Sequence, residues 1–258
     1  MNRLFFVGAG PGDPQMLTLH GAEALCDCGV VYYSEPYDVA FADFLQGKEL
    51  FDPFDFGFHQ LLEQIESQLQ KTSVAFLVPG DLTFYSPYQG IVCHFAEKAE
   101  VIPGVGVANV ASARLKRTFD LPAVCNRALI VSPKTLGASS SAPELEELAA
   151  RGVSLLIYMN NMPLEELVAK LHKGYGADVP IALFYRLGLP EEKVLLATLD
   201  SIVATCDGVD YFHLNEPEKR PALTFVVVGE SLCAPVDTTW WDQKRQTDWA
   251  KRKKAGKN

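Results

Sequence analysis

Residues 7–19 read VGAGPGDPQMLTL. They continue the apolar run Leu4–Val7, which has the composition of a buried strand, and place Gly8, Gly10 and Gly12 at alternate positions before Asp13-Pro14. One glycine is enough for a turn, so three in alternation imply that the backbone has to be bare. A strand that stops in a glycine-rich loop is a usual setting for an anion held by backbone N–H groups. The dinucleotide fingerprint is G-x-G-x-x-G, whereas this order is G-x-G-x-G with Pro11 between the last two glycines. Asp13 is placed to cap a short turn that Pro14 opens, and Thr18 to cap the helix that follows. That sets the helix back from the loop. Glu35, after the second strand, keeps a dinucleotide reading open, and a turn without a ligand is the other reading.

Two further stretches have the same character. VPGDLTFYSPYQG (78–90) leaves a strand at Val78, turns at Pro79-Gly80-Asp81 and presents Thr83, Tyr85 and Ser86. VIPGVGVANVASARL (101–115) leaves a short strand at Pro103-Gly104 and enters a helix dense in small residues: Gly106, Ala108, Ala111, Ser112 and Ala113. Small side chains suit a flat ligand lying close to the backbone, and suit close helix–sheet packing equally well. Apolar runs at Val30–Tyr33, Val74–Val78, Ala128–Val131, Val153–Tyr158, Ile181–Tyr185 and Leu223–Val228 read as further strands. Helical patterns lie between them at His59–Leu69 and Leu164–His172, the second opening after Pro163 and pairing Glu166 with Lys170. Strand and helix in alternation predict an α/β protein with largely parallel sheets. PKTLGASSSAP (133–143) reads as a linker. It divides the chain into an N-terminal α/β domain over 1–132, a C-terminal α/β domain over 144–235 and a basic, aromatic tail over 236–258. A cleft between two such domains is a common place for a small-molecule site.

Composition narrows the classes. The 258 residues carry 23 basic and 32 acidic side chains, a net charge of −9, which argues against nucleic acid as the main partner. The local basic run from Lys244, KRQTDWAKRKKAGK, reads as a solvated end. No apolar stretch approaches the roughly 20 residues of a membrane span, and the start has no signal-segment pattern; a cytoplasmic protein is expected. Cys26, Cys28, Cys93, Cys125, Cys206 and Cys233 show no C-x-x-C spacing and read as reduced structural thiols. His20, His59, His94, His172 and His213 are far apart in sequence, and no metal site is expected.

The three glycine-bearing stretches, in this order and spacing, resemble the tetrapyrrole methylase family of S-adenosylmethionine (SAM)-dependent methyltransferases. VGAGPGDPQMLTL resembles the family's VGAGPGDPxLLTL, GDLTFYS its GDPxxYG, and PGVGVANVASA its PGVSSxxAAAA. YMNNMPLEELVAKL, VPIALFYRLGLPEEKVLLATLDSI and RPALTFVVVGESL resemble its later segments, so the likeness runs to about residue 233. Within the family the resemblance is strongest to the cobalamin-pathway C-methyltransferases of the precorrin-4 C11 type, some members of which also use GDL and which carry a basic, aromatic tail, here DTTWWDQKRQTDW. Two departures stand out. SPKTLG, with Lys134 as its one cation, replaces a TRxxGR loop, and PGVGVAN lacks the two hydroxyls of PGVSSF.

The resemblance implies two α/β domains with SAM in the cleft between them, leaving as S-adenosylhomocysteine. It also implies that the glycine loop lies beside the acceptor rather than around a phosphate. Carried over by position, the cofactor contacts are Pro11; Gly80, Asp81 and Tyr85; Val107, Ala108 and Asn109; Met159; Ala182; and Ala222, Leu223 and Thr224. Asp81 and Tyr85 are the catalytic candidates, to position or deprotonate the acceptor. The acceptor is expected to be a polycarboxylate macrocycle, a precorrin or cobalt-precorrin, lying against Gly10, Gly12 and Asp13. Its carboxylates would face Arg114, Lys134 and Arg186, since arginine forks bind carboxylates bidentately. A homodimer is implied as well. The absent arginine loop leaves open a peptide, a diphthamide precursor or RNA as acceptor, and a non-catalytic nucleotide-binding protein is the remaining alternative.

Overall fold

A computed structural model describes residues 2–136, 143–216, 222–249 and 251–252. Of the expected linker, residues 137–142 lie outside the described residues, as do Ala250 and residues 253–258 of the tail.

Ten strands form two five-stranded sheets. The first contains β1 (Leu4–Gly8), β2 (Cys28–Tyr32), β3 (Glu49–Phe51), β4 (Ser73–Val78) and β5 (Ala99–Ile102), in the order β3-β2-β4-β1-β5, and every pairing is parallel. Its central strands LFFVG and SVAFLV, the latter after its half-buried Ser73, are continuously apolar because both faces are covered. On one face Phe76 stacks on Phe6 and on Tyr32, with ring centroids 5.0 and 4.7 Å apart. The Phe58–Leu69 helix lays Leu61, Leu62, Ile65 and Leu69 against that face. Each such burial stabilises by about 1.5–3 kcal/mol. Leu25, Tyr37 and Phe41 cover the other face. Because the strands are parallel, the loops after β1, β4 and β5 leave from one end of the sheet, and these loops are the three glycine-bearing stretches.

The second sheet contains β6 (Arg127–Val131), β7 (Val153–Ile157), β8 (Pro180–Tyr185), β9 (Lys193–Thr198) and β10 (Thr224–Val228), in the order β6-β7-β10-β8-β9. Here the expectation of parallel pairing fails. Only β6–β7 is parallel; β10 runs antiparallel to β7 and β8, and β8 antiparallel to β9. The segment 186–192 between β8 and β9 is shorter than the dozen or so residues a parallel crossover needs, so the chain turns back on itself. Two strands escaped the sequence reading. β3 is only a short edge, and β9 lies at the other sheet's edge, where Leu195 and Ala197 pack on the core but Val194 and Leu196 are exposed, so the run shows no polar alternation.

The local signals around the opening loop hold. The Asp13 carboxylate accepts from Gln15 N–H at 2.9 Å and caps the short turn Pro14–Met16. The Thr18 hydroxyl accepts from Gly21 N–H at 3.0 Å at the start of the Leu19–Cys26 helix. The Val107–Leu115 helix has a less expected place. It follows the first sheet in the chain but buries Val110 and Ala111 with Leu156, Ala182, Phe184, Phe225 and Val227 of the second. The two sheets are joined through this helix. All six cysteines are free, and burial pushes the Cys28 thiol up to about 12, a protonated and inert group. In the tail, Trp241 and Trp249 meet edge to face, with centroids 4.9 Å apart. Among the described residues no helix is long and apolar enough to cross a membrane.

Candidate active site

The loops after β1, β4 and β5 touch through bare backbone. Gly10 N–H donates to Gly80 O at 3.0 Å, and Gly80 N–H to Gly10 O at 2.8 Å. A Cβ on Gly8 would stand 2.5 Å from Gly104 N, and one on Gly104 would stand 2.4 Å from Gly80 O. Gly8 and Gly104 are therefore bare because two chain segments cross there. Gly12, at φ +141°, would drive a Cβ to 2.6 Å from the Leu189 side chain. Gly10, at φ +72°, has Met16 Cβ at 3.2 Å from that position, and its carbonyl accepts from Tyr37 OH at 3.0 Å. Part of the glycine pattern thus serves the protein's own packing. Gly80 differs: it too has positive φ, at +70°, but a Cβ there would meet nothing within 4 Å.

Beside that open space stands Asp81. Its carboxylate accepts from Thr83 N–H at 2.7 Å and from Gly104 N–H at 3.1 Å, which ties the second motif to the third. Partial burial works to raise its pKa, but the bonds from Thr83 and Gly104 outweigh it and hold the group below the usual carboxylate range. Asp81 is an ionised anchor. Tyr85 follows at φ +58°, its ring 5.7 Å from that of Tyr158, which leaves the end of β7. Tyr158 in turn packs on Phe225 at 4.8 Å. Burial raises the Tyr158 pKa, against the contact of its hydroxyl with the Ala108 backbone, and the neighbouring Tyr85 and Asp81 add to the rise. Second motif, third motif and both sheets therefore converge on Asp81, Tyr85, Tyr158 and Ala108.

The remaining candidates divide. Val107 and Ala108 are half-buried at the start of their helix, and Asn109 is exposed. Met159 is 40% exposed at φ +48°, so it is no core residue although it ends an apolar strand. Pro11 and Ala182 are buried, the latter fully, within the core that joins the sheets. Ala222 and Leu223 are half-buried, Leu223 O accepting from Arg186 N–H at 3.2 Å, and the Thr224 hydroxyl donates to Tyr211 O.

Among the cations, Arg114 makes a two-pronged contact with Glu192: Nε to Oε1 at 2.6 Å and Nη2 to Oε2 at 3.0 Å. The pair borders a cavity of about 360 Å³ together with Gly12, Asp13, Gly188 and Leu189. Arg186 sits at φ +49°, with Glu191 3.6 Å away and its guanidinium 5.4 Å from the centre of the Tyr185 ring; its Nε is buried without a partner. Lys134 is exposed in the turn after β6.

Four residues of the region were not singled out from sequence. Tyr158 read only as the last residue of a strand, and Glu192 only as part of a loop. Ser132 Oγ and Asn160 Oδ1, at the ends of the parallel pair β6–β7, are buried without hydrogen-bond partners. No periodicity reveals an unsatisfied oxygen. Outside this region His172, Asp178 and Asp200 bring ligand-type atoms within 4.8 Å of one another, a grouping their sequence spacing conceals.

Comparison with known proteins follows the same lines. The profile of the family described as Tetrapyrrole (Corrin/Porphyrin) Methylases matches residues 3–203. A precorrin-4 C(11)-methyltransferase of Pseudomonas aeruginosa is 25% identical over 90% of this chain and 91% of its own. The crystal structure of a cobalt precorrin-4 methyltransferase superposes with a TM-score of 0.69 at 17% identity, over 90% of this chain and 96% of that one. A uroporphyrin-III C-methyltransferase from Thermus thermophilus, complexed with S-adenyl homocysteine, superposes at 0.64 with 21% identity, over 90% and 99% of the chains.

Proposed function

The chain belongs to the tetrapyrrole (corrin/porphyrin) methylases, and from that premise we propose that it is a SAM-dependent C-methyltransferase acting at C11 of precorrin-4 or its cobalt form. The observation that carries the reading is the convergence of Asp81, Tyr85, Tyr158 and Ala108, from both halves of the chain, beside the open space at Gly80. The relatives named for precorrin-4 support the acceptor, and the neighbour solved with S-adenyl homocysteine supports the donor.

The residues fit such a donor. Gly80 offers room where any side chain would intrude, and the orphaned Ser132 Oγ and Asn160 Oδ1 offer acceptors for N–H or O–H groups of a polar ligand. Asn160 Nδ2 already donates to Met162 O at 2.6 Å, which fixes the amide with its oxygen as the available atom. Bound SAM would supply an electrophilic methyl on a sulfonium: a nucleophilic ring carbon would take the methyl in line as the S–CH3 bond breaks, with S-adenosylhomocysteine leaving and a ring proton passing to solvent. The protein's task is placement: holding the reacting atoms about 3–3.5 Å apart and aligned is worth several kcal/mol. Asp81, ionised and with both oxygens engaged, fixes the Gly80 loop rather than serving as a base. Tyr85 and Tyr158 stay protonated, because burial raises both, and their ring faces favour a nearby cation by about 0.5–2 kcal/mol.

Calorimetry tests the donor. Saturable heat with SAM and none with NAD is expected; the opposite pair of results ends the reading. Methyl-labelled SAM tests the acceptor, with label expected to enter precorrin-4 in preference to other precorrins. Label appearing instead in a peptide, a diphthamide precursor or RNA would keep the donor and replace the acceptor.

A further inference from the structure

The Arg114–Glu192 contact is hard to reconcile with Arg114 as a simple carboxylate receptor, because a carboxylate already occupies it. Two parallel N–H···O bonds run from the guanidinium to Glu192 at 2.6 and 3.0 Å, the arrangement in which arginine binds any carboxylate. Oε2 of Glu192 also accepts from Gly188 N–H at 2.7 Å. The pair spans two elements, the last turn of the Val107–Leu115 helix and the β8–β9 connection, and borders the 360 Å³ cavity beside Gly12 and Asp13. Charge there is unfavourable for an incoming carboxylate: Glu192 cancels Arg114, and Asp13 adds a negative group close enough to act on the Arg114 charge. The side chains of Arg114 and Glu192 are 42% and 22% exposed. A bidentate ion pair this open to water is held only modestly, a barrier that stops a weakly bound acid but that an acceptor bringing several carboxylates can pass. Glu192 would lose two of its three bonds on exchange but keep Gly188 N–H and gain water, so neither partner is left orphaned.

We propose that Glu192 is the resident carboxylate of an acceptor subsite, holding the Arg114 fork in bidentate geometry until a carboxylate of the acceptor takes its place. This rests on the methyltransferase reading above, since it needs an acceptor that bears carboxylates. Glu192 is then a specificity-determining residue: it aligns the fork while Arg114 is free of substrate, and it sets a threshold that a weakly bound or singly charged acid does not pass.

The test uses uroporphyrin I, an octacarboxylate macrocycle, with binding read by porphyrin fluorescence on the full chain. Glu192→Gln removes the competing charge. Glu192→Asp keeps the charge but is too short to fill the fork, so it separates fork occupancy from the general field. Each variant is expected to bind the porphyrin about two- to fivefold tighter, the range an exposed ion pair commands. Arg114→Gln should weaken binding, and adding Glu192→Asp to it should change nothing further. SAM affinity, measured by calorimetry, should be the same in all variants, which also certifies their folding. Unchanged or weaker porphyrin binding in both Glu192 variants would make the pair a fixed structural contact that no acceptor opens and overturn the proposal. Tightening by Glu192→Gln alone, or tightening that persists without Arg114, would reduce it to a charge effect and overturn it as well. Wild-type protein that binds neither SAM nor porphyrin would remove the methyltransferase reading itself, a result distinct from failure of the exchange.

Discussion

Two contacts hold the candidate site together, and they are built from opposite materials. Where Gly8 and Gly104 cross against the Gly80 carbonyl the chain meets itself through backbone, with no space for a methyl group on either of the first two. At the Arg114–Glu192 contact the halves meet through long charged side chains, partly in water. The first is an interlock with no alternative packing; the second can open without disturbing the core. The difference shows that the glycines of the three motifs are not one set. Gly8 and Gly104 are architecture, and Gly80 alone among these three backs onto free space.

The largest effect should come from Gly104→Ala. Its Cβ would lie 2.4 Å from Gly80 O and 2.6 Å from Gly8 O, and backbone cannot move aside as a side chain end would. A loss of about 3 kcal/mol or more is expected, at the upper end of overpacking costs, read as a shift of the urea midpoint. Gly80→Ala should cost only the left-handed strain of its φ, about 1–2 kcal/mol. If the two variants unfold at the same urea concentration, the distinction between interlock and open glycine is lost.

Gly10→Val comes next. Valine at φ +72° is strained by about 1–2 kcal/mol, and its branches would press on Met16 and pull Gly10 from its paired bonds with Gly80. Methyl transfer is expected to disappear while the far-ultraviolet circular dichroism stays close to wild type. Turnover at the wild-type rate would reduce the opening loop to a turn.

How much of this was legible follows the same division. The parallel sheet was readable because its strands are buried on both faces and announce themselves as unbroken apolar runs; β1 and β4 fall within a residue of their expected bounds. The second sheet's pairing was not, because apolar content says nothing about direction, and β10 is brought between β7 and β8 by tertiary packing. At the site, Asp13 and Thr18 were legible as caps since both bonds close within a few residues. Glu192 was not, because its partner Arg114 is 78 residues away in the chain. Tyr158 was hidden likewise: its meaning comes from Tyr85 and Ala108, which sequence places elsewhere.

Tyr158→Phe sharpens the site between the two contacts. The variant keeps the ring against Tyr85 and Phe225 but removes the hydroxyl that meets the Ala108 backbone. One folded-state hydrogen bond is worth about 1 kcal/mol, so the melting temperature should fall by only about 2–4 °C, and loosening of the Ala108 backbone at the site should lower kcat/KM as well. A large drop in melting temperature with kcat/KM intact would make Tyr158 packing alone.

The smallest effect separates the two contacts by pH and salt. Asp81 serves the backbone crossing and Glu192 the charged clasp, and both have pKa values held below the usual carboxylate range. For Asp81 the bonds from Thr83 and Gly104 overcome burial; for Glu192 the Arg114 bond leads, against burial, with Gly188 N–H adding to it. A carboxylate with a depressed folded pKa adds stability that is fully present above the ordinary value of about 4 and is lost as pH falls through the folded one. Acid should therefore erode both contacts, Arg114 remaining charged throughout. Salt should not. The clasp is an exposed ion pair worth about 0.2–1 kcal/mol, and it weakens as the screening length contracts to about 3 Å in 1 M salt. Asp81 accepts from N–H groups fixed at 2.7 and 3.1 Å and faces no opposing full charge among those partners. At neutral pH, then, Glu192→Gln should lower stability in dilute buffer and make no difference in 1 M salt, whereas Asp81→Asn should cost the same in both. Equal salt sensitivity in the two variants would mean that the crossing and the clasp are held by the same force after all.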